Sequence, residues 1–145
     1  MNIKDYRKII KQIPPCSEIY ISGPMTGFMN NNEHNFKQAQ NLLNDAGFVA
    51  INPHDIGVQQ IEIFKQSDSK HQSKKEPSYW DYMKADVIKL LDCKGVSLLK
   101  GWENSTGANI ELFIAQKFGI PIFYIDTFEF FDLTFQITKF PKNMI

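Results

Sequence analysis

The chain has 145 residues, and its sixteen basic and sixteen acidic residues leave no net charge. A chain of this length fits one domain, which buries roughly 70% of its unfolded surface and needs no disulfide or metal to fold. Because no run of Lys or Arg is concentrated enough to neutralise a phosphate backbone, duplex nucleic acid is excluded as an expected partner. Cys16 and Cys93 lie far apart without a metal-ligand pattern, so we expect two free thiols and no metal site.

The first fifteen residues are charged throughout, and no apolar run approaches the roughly 20 residues that span a bilayer. We therefore expect a cytoplasmic protein with no membrane partner.

Apolar spacing predicts alternating helices and strands along the chain. An amphipathic N-terminal helical extension is predicted within residues 1–15, where two prolines stop the pattern. The remaining predicted elements, in chain order, are a strand at 18–22, a helix from 31 to Gly47, a strand at 48–52, a helix at 79–92, a strand at 95–99, a helix within 99–119 and a strand at 120–125.

Two segments lack a clear period. Residues 57–78 are polar and rich in Lys and Ser, which predicts a long surface loop with at most a weak helical turn near Ile61 to Phe64. Such a loop could be a lid over a site or only a long surface connection. The tail at 126–145 holds five phenylalanines and fits a fifth strand, a packing arm or part of a subunit interface.

Four apolar strands alternating with helices predict an α/β fold of the doubly wound, Rossmann-like or flavodoxin-like type. The expected sheet is parallel, with four to five strands and helices on both faces. We expect the whole chain, 1–145, to form this single domain.

In an open parallel sheet, ligands bind beyond the carboxyl ends of the strands, where the connections switch direction. The loop SGPMTGFMNNN after the first strand has glycines and hydroxyl groups that can present donors to an anion. Its candidate ligand-binding residues are Ser22, Gly23, Thr26 and Gly27. The loop is neither a dinucleotide fingerprint nor a Walker loop, and chain reversal alone would also explain its Gly-Pro pair.

A second loop, GWENSTG, leads into a helix that Asn104 or Ser105 can cap. Free N–H groups at that helix start favour negative charge nearby. Glu111 follows one and a half turns later, and no Lys or Arg lies three or four positions away to pair with it. Gly107, one turn earlier on the same face, would leave room for a ligand above the carboxylate. The plain alternative is an acid that faces solvent.

A second acid, Asp86, lies on the preceding helix near the other wall of the same crevice. Two carboxyl groups about an anomeric carbon, one as nucleophile and one as acid, are what glycosyl chemistry requires. A surface charge paired with Lys84 or Lys89 is the alternative for Asp86.

Two tryptophans and two histidines lie in or near these segments. Trp102 in the second loop is a candidate for stacking on a ligand, whereas Trp80 is expected to fill volume in the core. His34 and His54 lie near strand ends, where surface or structural histidines are the commoner case.

The segments IYISGPMTG, YWDYMKADVIKLLDC and GWENSTGANIELFIAQKFGIPIF, with the NP pair after the second strand, resemble the DUF4406 family over about residues 19–124. That family is similar to the nucleoside 2-deoxyribosyltransferase superfamily, which also contains hydrolases that release a free base from a nucleoside monophosphate. The resemblance implies cleavage or exchange of an N-glycosidic bond through a glutamate glycosyl-enzyme. The implied substrate is a (deoxy)nucleoside or its 5′-monophosphate, with no metal and no cofactor.

Carried over by position, the resemblance gives Glu111 the role of the nucleophile. Asp86 matches the aspartate that serves the departing base, and Tyr20 matches the tyrosine that holds the nucleophile. Ser105 falls where the monophosphate hydrolases have a serine that contacts phosphate. The implied substrate-binding residues are Ser22, Gly23, Thr26, Gly27, Trp102, Asn104, Ser105 and Gly107.

The resemblance also implies a homo-oligomer in which a neighbouring subunit completes the site, with Asn143 a candidate by residue type alone. The N-terminal helix and the Phe-rich tail have no clear counterpart in the family. Two other classes of function stay open: a nucleotide or nucleotide-sugar sensor on the same scaffold, and a structural protein that binds a partner through its tail.

Overall fold

The computed structural model describes residues 3–66 and 76–131, with side chains from residue 8 onward in the first range. Its elements are α1 (Ile3–Gln12), β1 (Glu18–Ser22), α2 (Glu33–Asp45), β2 (Val49–Ile51), α3 (Pro53–Gln66), α4 (Tyr79–Asp92), β3 (Gly95–Leu98), α5 (Thr106–Lys117) and β4 (Ile122–Tyr124). Short 3-10 turns at Met29–Asn32 and Trp102–Asn104 precede α2 and α5. Within these ranges, no helix combines the length and apolar character needed to cross a membrane.

The four strands form one parallel sheet in the order β2-β1-β3-β4. The chain moves from β1 to β2 in one direction and then returns across β1 to β3 and β4. The fold is therefore the doubly wound α/β fold that the sequence predicts. The switch point lies between β1 and β3, which places the expected ligand crevice beyond Ser22 and Leu98, a register pair at the ends of these strands.

Alternation along the central strands divides the core into two layers. Ile19 and Ile21 of β1 belong to the layer that packs under α1 and α2. Tyr20 of β1 and Val96 of β3 belong to the other layer, beneath α4 and α5. Since side chains two apart on a strand share a face, Ser22 projects on the same side as Tyr20, toward α5.

The structure differs from the predicted loop at 57–78, because residues 57–66 are helical and belong to α3. Pro53, which directly follows the predicted strand at 48–52, occupies the first turn of this helix. The Asn52 side chain accepts a hydrogen bond from the His54 N–H at 3.0 Å. Packing against α4 compensates for the weak apolar pattern of α3. The rest of the polar stretch, residues 67–75, lies outside the described residues.

The Phe-rich tail begins as a packing arm along β4. Phe128 and Phe131 are buried, and the Phe128 ring stacks on Phe123 with centroids 5.5 Å apart. The Phe131 N–H donates to the Ile122 carbonyl at 2.8 Å, beside an isolated antiparallel bridge between Phe123 and Phe130. The chain thus covers the edge of β4. Residues 132–145, and with them the candidate Asn143, lie outside the described residues.

The N-terminal helix is part of the core. Ile9 of α1 and Ile13 just beyond it are fully buried in the layer under α2. Gly95 makes this approach possible, because a Cβ built there would lie 2.7 Å from the Ile13 Cδ1 atom. α1 therefore packs directly on the sheet.

We predict that Ile13→Ala lowers the free energy of unfolding by about 2–5 kcal/mol, the usual cost of a large-to-small change in a closed core. Lys11→Ala, an exposed change two residues away, should stay within about 0.5 kcal/mol of the parent. Urea denaturation of the three proteins measures both values. Equal stability of Ile13→Ala and the parent would show that α1 lies outside the cooperative core.

Candidate active site

A cavity of about 950 Å³ opens beyond the carboxyl ends of β1 and β3, at the switch point of the sheet. Its walls come from the loop after β1, from α3 and α4, and from the start of α5. Glu111 and Asp86, the two acids that the sequence analysis placed in one crevice, both line it.

Glu111 projects from the inward face of α5 and is only 5% exposed. The Tyr20 hydroxyl donates to its Oε2 atom, and the Ser22 hydroxyl donates to its Oε1 atom at 2.8 Å. Both donors come from β1, where they share the face that α5 covers. The alternative of a solvent-facing Glu111 is therefore wrong.

Burial raises the pKa of Glu111 to about 8. The two hydroxyl donors oppose this rise, and the nearby charge of Asp86 adds to it. Burial also raises the pKa of Asp86 to about 7. Lys89, one proposed partner of Asp86, instead forms a salt bridge with Glu18, with Nζ and Oε2 3.1 Å apart.

The first two turns of α4 add cavity residues that the sequence analysis missed. A capping box between Ser78 and Asp81 starts the helix and places Tyr79 and Met83 on the cavity wall with Asp86. Burial, followed by the charges of Glu111 and Asp86, raises the pKa of Tyr79. A signal for this wall existed, because positions 79, 83 and 86 share one helical face.

The two tryptophans lie in the reverse of their expected positions. Trp102 is 2% exposed and packs edge-on against Phe131 with ring centroids 5.4 Å apart, so it lies in the core and not on the cavity wall. Gly101, at a φ of +86°, makes the turn that leads into this buried position. Trp80 is 66% exposed and lines the cavity beside Tyr79. Both sequence predictions for the tryptophans are wrong.

Only two of the four ligand-binding residues predicted around the loop after β1 line the cavity. Gly23 and Thr26 line the cavity, whereas Ser22 is fully buried behind it and Gly27 lies outside the lining. A Cβ at Gly23 would lie 2.7 Å from the Leu99 Cβ, so this position needs glycine for the close approach of two chain segments.

Three consecutive asparagines hold this loop in place. Asn30, Asn31 and Asn32 have φ values of 49°, 54° and 65°, a left-handed conformation that asparagine tolerates better than most residues. The buried Asn32 side chain donates to the Pro24 carbonyl at 2.9 Å and accepts from Asn35 at 2.7 Å. The loop is thereby tied to the first turn of α2.

The start of α5 lines the cavity with Asn104, Ser105 and Gly107. Ser105 is the N-cap, because its Oγ atom accepts from the Ala108 N–H at 3.2 Å. The space predicted above Gly107 is closed on one side. A Cβ at Gly107 would lie 3.2 Å from the Met83 Cε and 3.4 Å from the Tyr79 hydroxyl, so these side chains cover the glycine.

The described part of the chain contributes neither Lys nor Arg to the cavity lining. His54 lines the cavity and lies edge-on to Phe36, with ring centroids 4.9 Å apart, while His34 is exposed on α2. Residues 3–66 and 76–131 contain no group of three or more His, Cys, Asp or Glu side chains that could hold a metal ion. The chemical groups on the wall include two carboxyls, hydroxyls, side-chain amides, one imidazole and aromatic rings.

A buried acid with a raised pKa makes the stability of the fold depend on pH. The folded state keeps the Glu111 proton up to about pH 8, while the unfolded chain releases it near the ordinary value of 4.5. The free energy of unfolding therefore falls as the pH rises between these two values. The amide in Glu111→Gln has no proton to lose and can still bond to both hydroxyls.

We predict that Glu111→Gln raises the melting temperature at pH 9 by about 5 °C or more relative to the parent, and that the gain shrinks toward pH 5. Glu103→Gln, an exposed change in the turn before α5, should give the same small difference at both pH values. Thermal melts of the three proteins at pH 5, 7 and 9 measure this. A gain for Glu111→Gln that does not vary with pH would contradict the burial argument.

The chain matches the family described as "Domain of unknown function (DUF4406)" over residues 17–124. No curated protein and no solved structure matches it. The matched range includes all four strands and every cavity residue discussed above, and it excludes α1 and the whole tail at 126–145. Because the match covers most of the chain, the protein belongs to the DUF4406 family.

Proposed function

We propose that the protein cleaves or exchanges the N-glycosidic bond of a (deoxy)nucleoside or its 5′-monophosphate through a glycosyl-enzyme on Glu111. The observation that carries the proposal is the buried Glu111 carboxyl, held by two hydroxyls on a cavity wall that it shares with Asp86. A carboxyl kept from solvent without a cationic partner costs stability, and such groups concentrate at functional sites. The substrate class comes from the resemblance to the nucleoside 2-deoxyribosyltransferase superfamily.

In the first step, a Glu111 oxygen bonds to C1′ of the sugar as the C1′–N bond breaks. Asp86 gives its proton to the departing base nitrogen. In the second step, water attacks C1′, the Asp86 carboxylate takes the proton of that water, and the Glu111 carboxylate leaves. Attack by a second base in place of water would give exchange. Two inversions retain the configuration at C1′.

The cavity wall offers groups that suit each part of such a substrate. Exposed aromatic surface on Trp80 can stack against a base. Thr26, Asn104 and Ser105 carry neutral polar groups, and the N–H groups at the start of α5 favour an anion such as a 5′-phosphate. The resemblance also supports a homo-oligomer in which a neighbouring subunit completes this wall.

The test is base release from a panel of ribo- and deoxyribonucleosides and their 5′-monophosphates, followed by chromatography. We expect turnover by the parent, unchanged turnover by Glu103→Gln, and a loss of about 10⁴-fold or more in Glu111→Ala, because that change removes the nucleophile. Turnover by Glu111→Ala at the parent rate would contradict the mechanism. A ligand that raises the melting temperature and stays intact would favour the sensor alternative.

The two acids also predict a pH dependence. The active form needs Glu111 ionised and Asp86 protonated, so one proton must remain on the pair. Because the pKa values are about 7 and about 8, kcat/KM should be bell-shaped with a maximum between them. A profile that stays flat from pH 6 to pH 9 would contradict this assignment.

Asp86→Asn tests whether Asp86 donates the proton, because the amide has a similar size and no acidic proton. With a neutral base as leaving group, we expect kcat/KM to fall by about 10²–10⁴-fold and the alkaline limb to disappear, because an amide does not titrate. A nucleoside whose base is a quaternary cation needs no proton to depart, so its cleavage should fall far less. Equal losses for both kinds of leaving group would show that Asp86 is not the acid.

A further inference from the structure

Ser22 occupies a place that its predicted role in substrate binding does not explain. It is the last residue of β1, it is fully buried, and it does not line the cavity. Its hydroxyl instead donates to the Glu111 Oε1 atom at 2.8 Å. The Ser22 side chain therefore offers no exposed surface to a ligand in the cavity.

We propose that Ser22 is a positioning residue for Glu111, whose hydroxyl fixes the plane of the carboxylate and supports its ionised form. The role of Ser22 in catalysis rests on the proposed function. The contact itself is a property of the protein without substrate.

Two donors, one on each Glu111 carboxylate oxygen, fix the plane of the carboxylate, which one donor alone would not do. With only the Tyr20 hydroxyl on Oε2, the carboxylate could still rotate about its terminal bond, since such torsions are broad. The Ser22 hydroxyl on Oε1 removes that freedom. Tyr20 and Ser22 are two residues apart on one strand, so the strand itself sets the separation of the two donors.

The backbone around Ser22 is held from both directions. Its carbonyl accepts a hydrogen bond from the Leu99 N–H at 2.9 Å, which joins the ends of β1 and β3. The next residue, Gly23, lies so close to Leu99 that a Cβ there would meet the Leu99 Cβ at 2.7 Å. The Ser22 hydroxyl therefore belongs to the rigid sheet, which is the kind of support that a reacting group needs.

The pKa of Glu111 depends on the hydrogen bond from Ser22, so the contact can be measured by titration. Among the residues that the structure describes, the ionisable groups around Glu111 are Tyr20 on β1 and Asp86 and Tyr79 on α4, and His54 on α3 lines the same cavity. Burial and the Asp86 charge favour the neutral acid, while the hydroxyls of Tyr20 and Ser22 favour the anion. Without Ser22, only one of the two opposing donors remains.

The experiment is a pH titration of the Glu111 side-chain carboxyl by ¹³C NMR in the protein without ligand, with the resonance assigned by its absence in Glu111→Gln. We expect the Glu111 pKa in Ser22→Ala to lie about one unit above that of the parent. Ser97→Ala is the matched control, because Ser97 is also fully buried on a central strand but donates to the Tyr20 carbonyl at 3.3 Å. Its Glu111 pKa should equal the parent value.

An unchanged pKa in Ser22→Ala, or an equal shift in Ser97→Ala, would overturn the proposal. If Ser22→Ala does not fold, Ser22→Cys decides, because a thiol is a weaker donor of similar size. A smaller upward shift in Ser22→Cys supports the proposal, and no shift overturns it.

A second readout separates this inference from the proposed function. If base release occurs, the acid limb of kcat/KM in Ser22→Ala should move to higher pH by the same amount, with about a tenfold loss on that limb. An unmoved limb would overturn the catalytic part of the proposal. If no variant releases base while the NMR shift appears, the contact stands and the proposed function fails.

Discussion

The burial of one carboxyl group is the constraint on which the rest of the site depends. Glu111 lies between β1 and α5 with only 5% of its surface exposed, and no cation among the described residues acts on its pKa. An acid in such a place is costly unless donors meet its oxygens. β1 supplies those donors from two successive inward positions, Tyr20 and Ser22, and α5 supplies the carboxyl. β1 and α5 are therefore joined by hydrogen bonds to Glu111 in addition to their apolar packing.

The parallel sheet explains why this contact faces a cavity. β1 and β3 end side by side at the switch point, and the chain leaves them in opposite directions, which opens a crevice above their ends. The close approach of Gly23 to Leu99 keeps the strand ends together, and the left-handed asparagine turn ties the loop after β1 to α2. α4 closes the far wall and brings Asp86 to the same space. The pKa values of both acids lie near neutrality, so a single proton can be held by either of them.

The sequence predicted the strands, their parallel arrangement and the placement of Glu111 and Asp86 in one crevice, because these follow from apolar spacing and from the geometry of doubly wound sheets. It did not predict α3, whose stability comes from packing on α4 and not from its own pattern. Trp80 is exposed and Trp102 is buried, the reverse of the prediction, because burial of an aromatic residue depends on which face a neighbour covers. A single sequence does not show this. Ser22 was expected among the ligand-binding residues, since strand alternation alone does not tell which partner its hydroxyl meets.

The central claim is that Glu111 forms a covalent bond to the sugar. Its most direct test is mass spectrometry of the protein after incubation with the 2′-fluoro analogue of a nucleoside or nucleotide that it cleaves, since the fluorine slows release of the glycosyl-enzyme. The account predicts a fluoroglycosyl adduct on the peptide that contains Glu111, with none in Glu111→Gln. Base release without any adduct, or an adduct on a different residue, would contradict it.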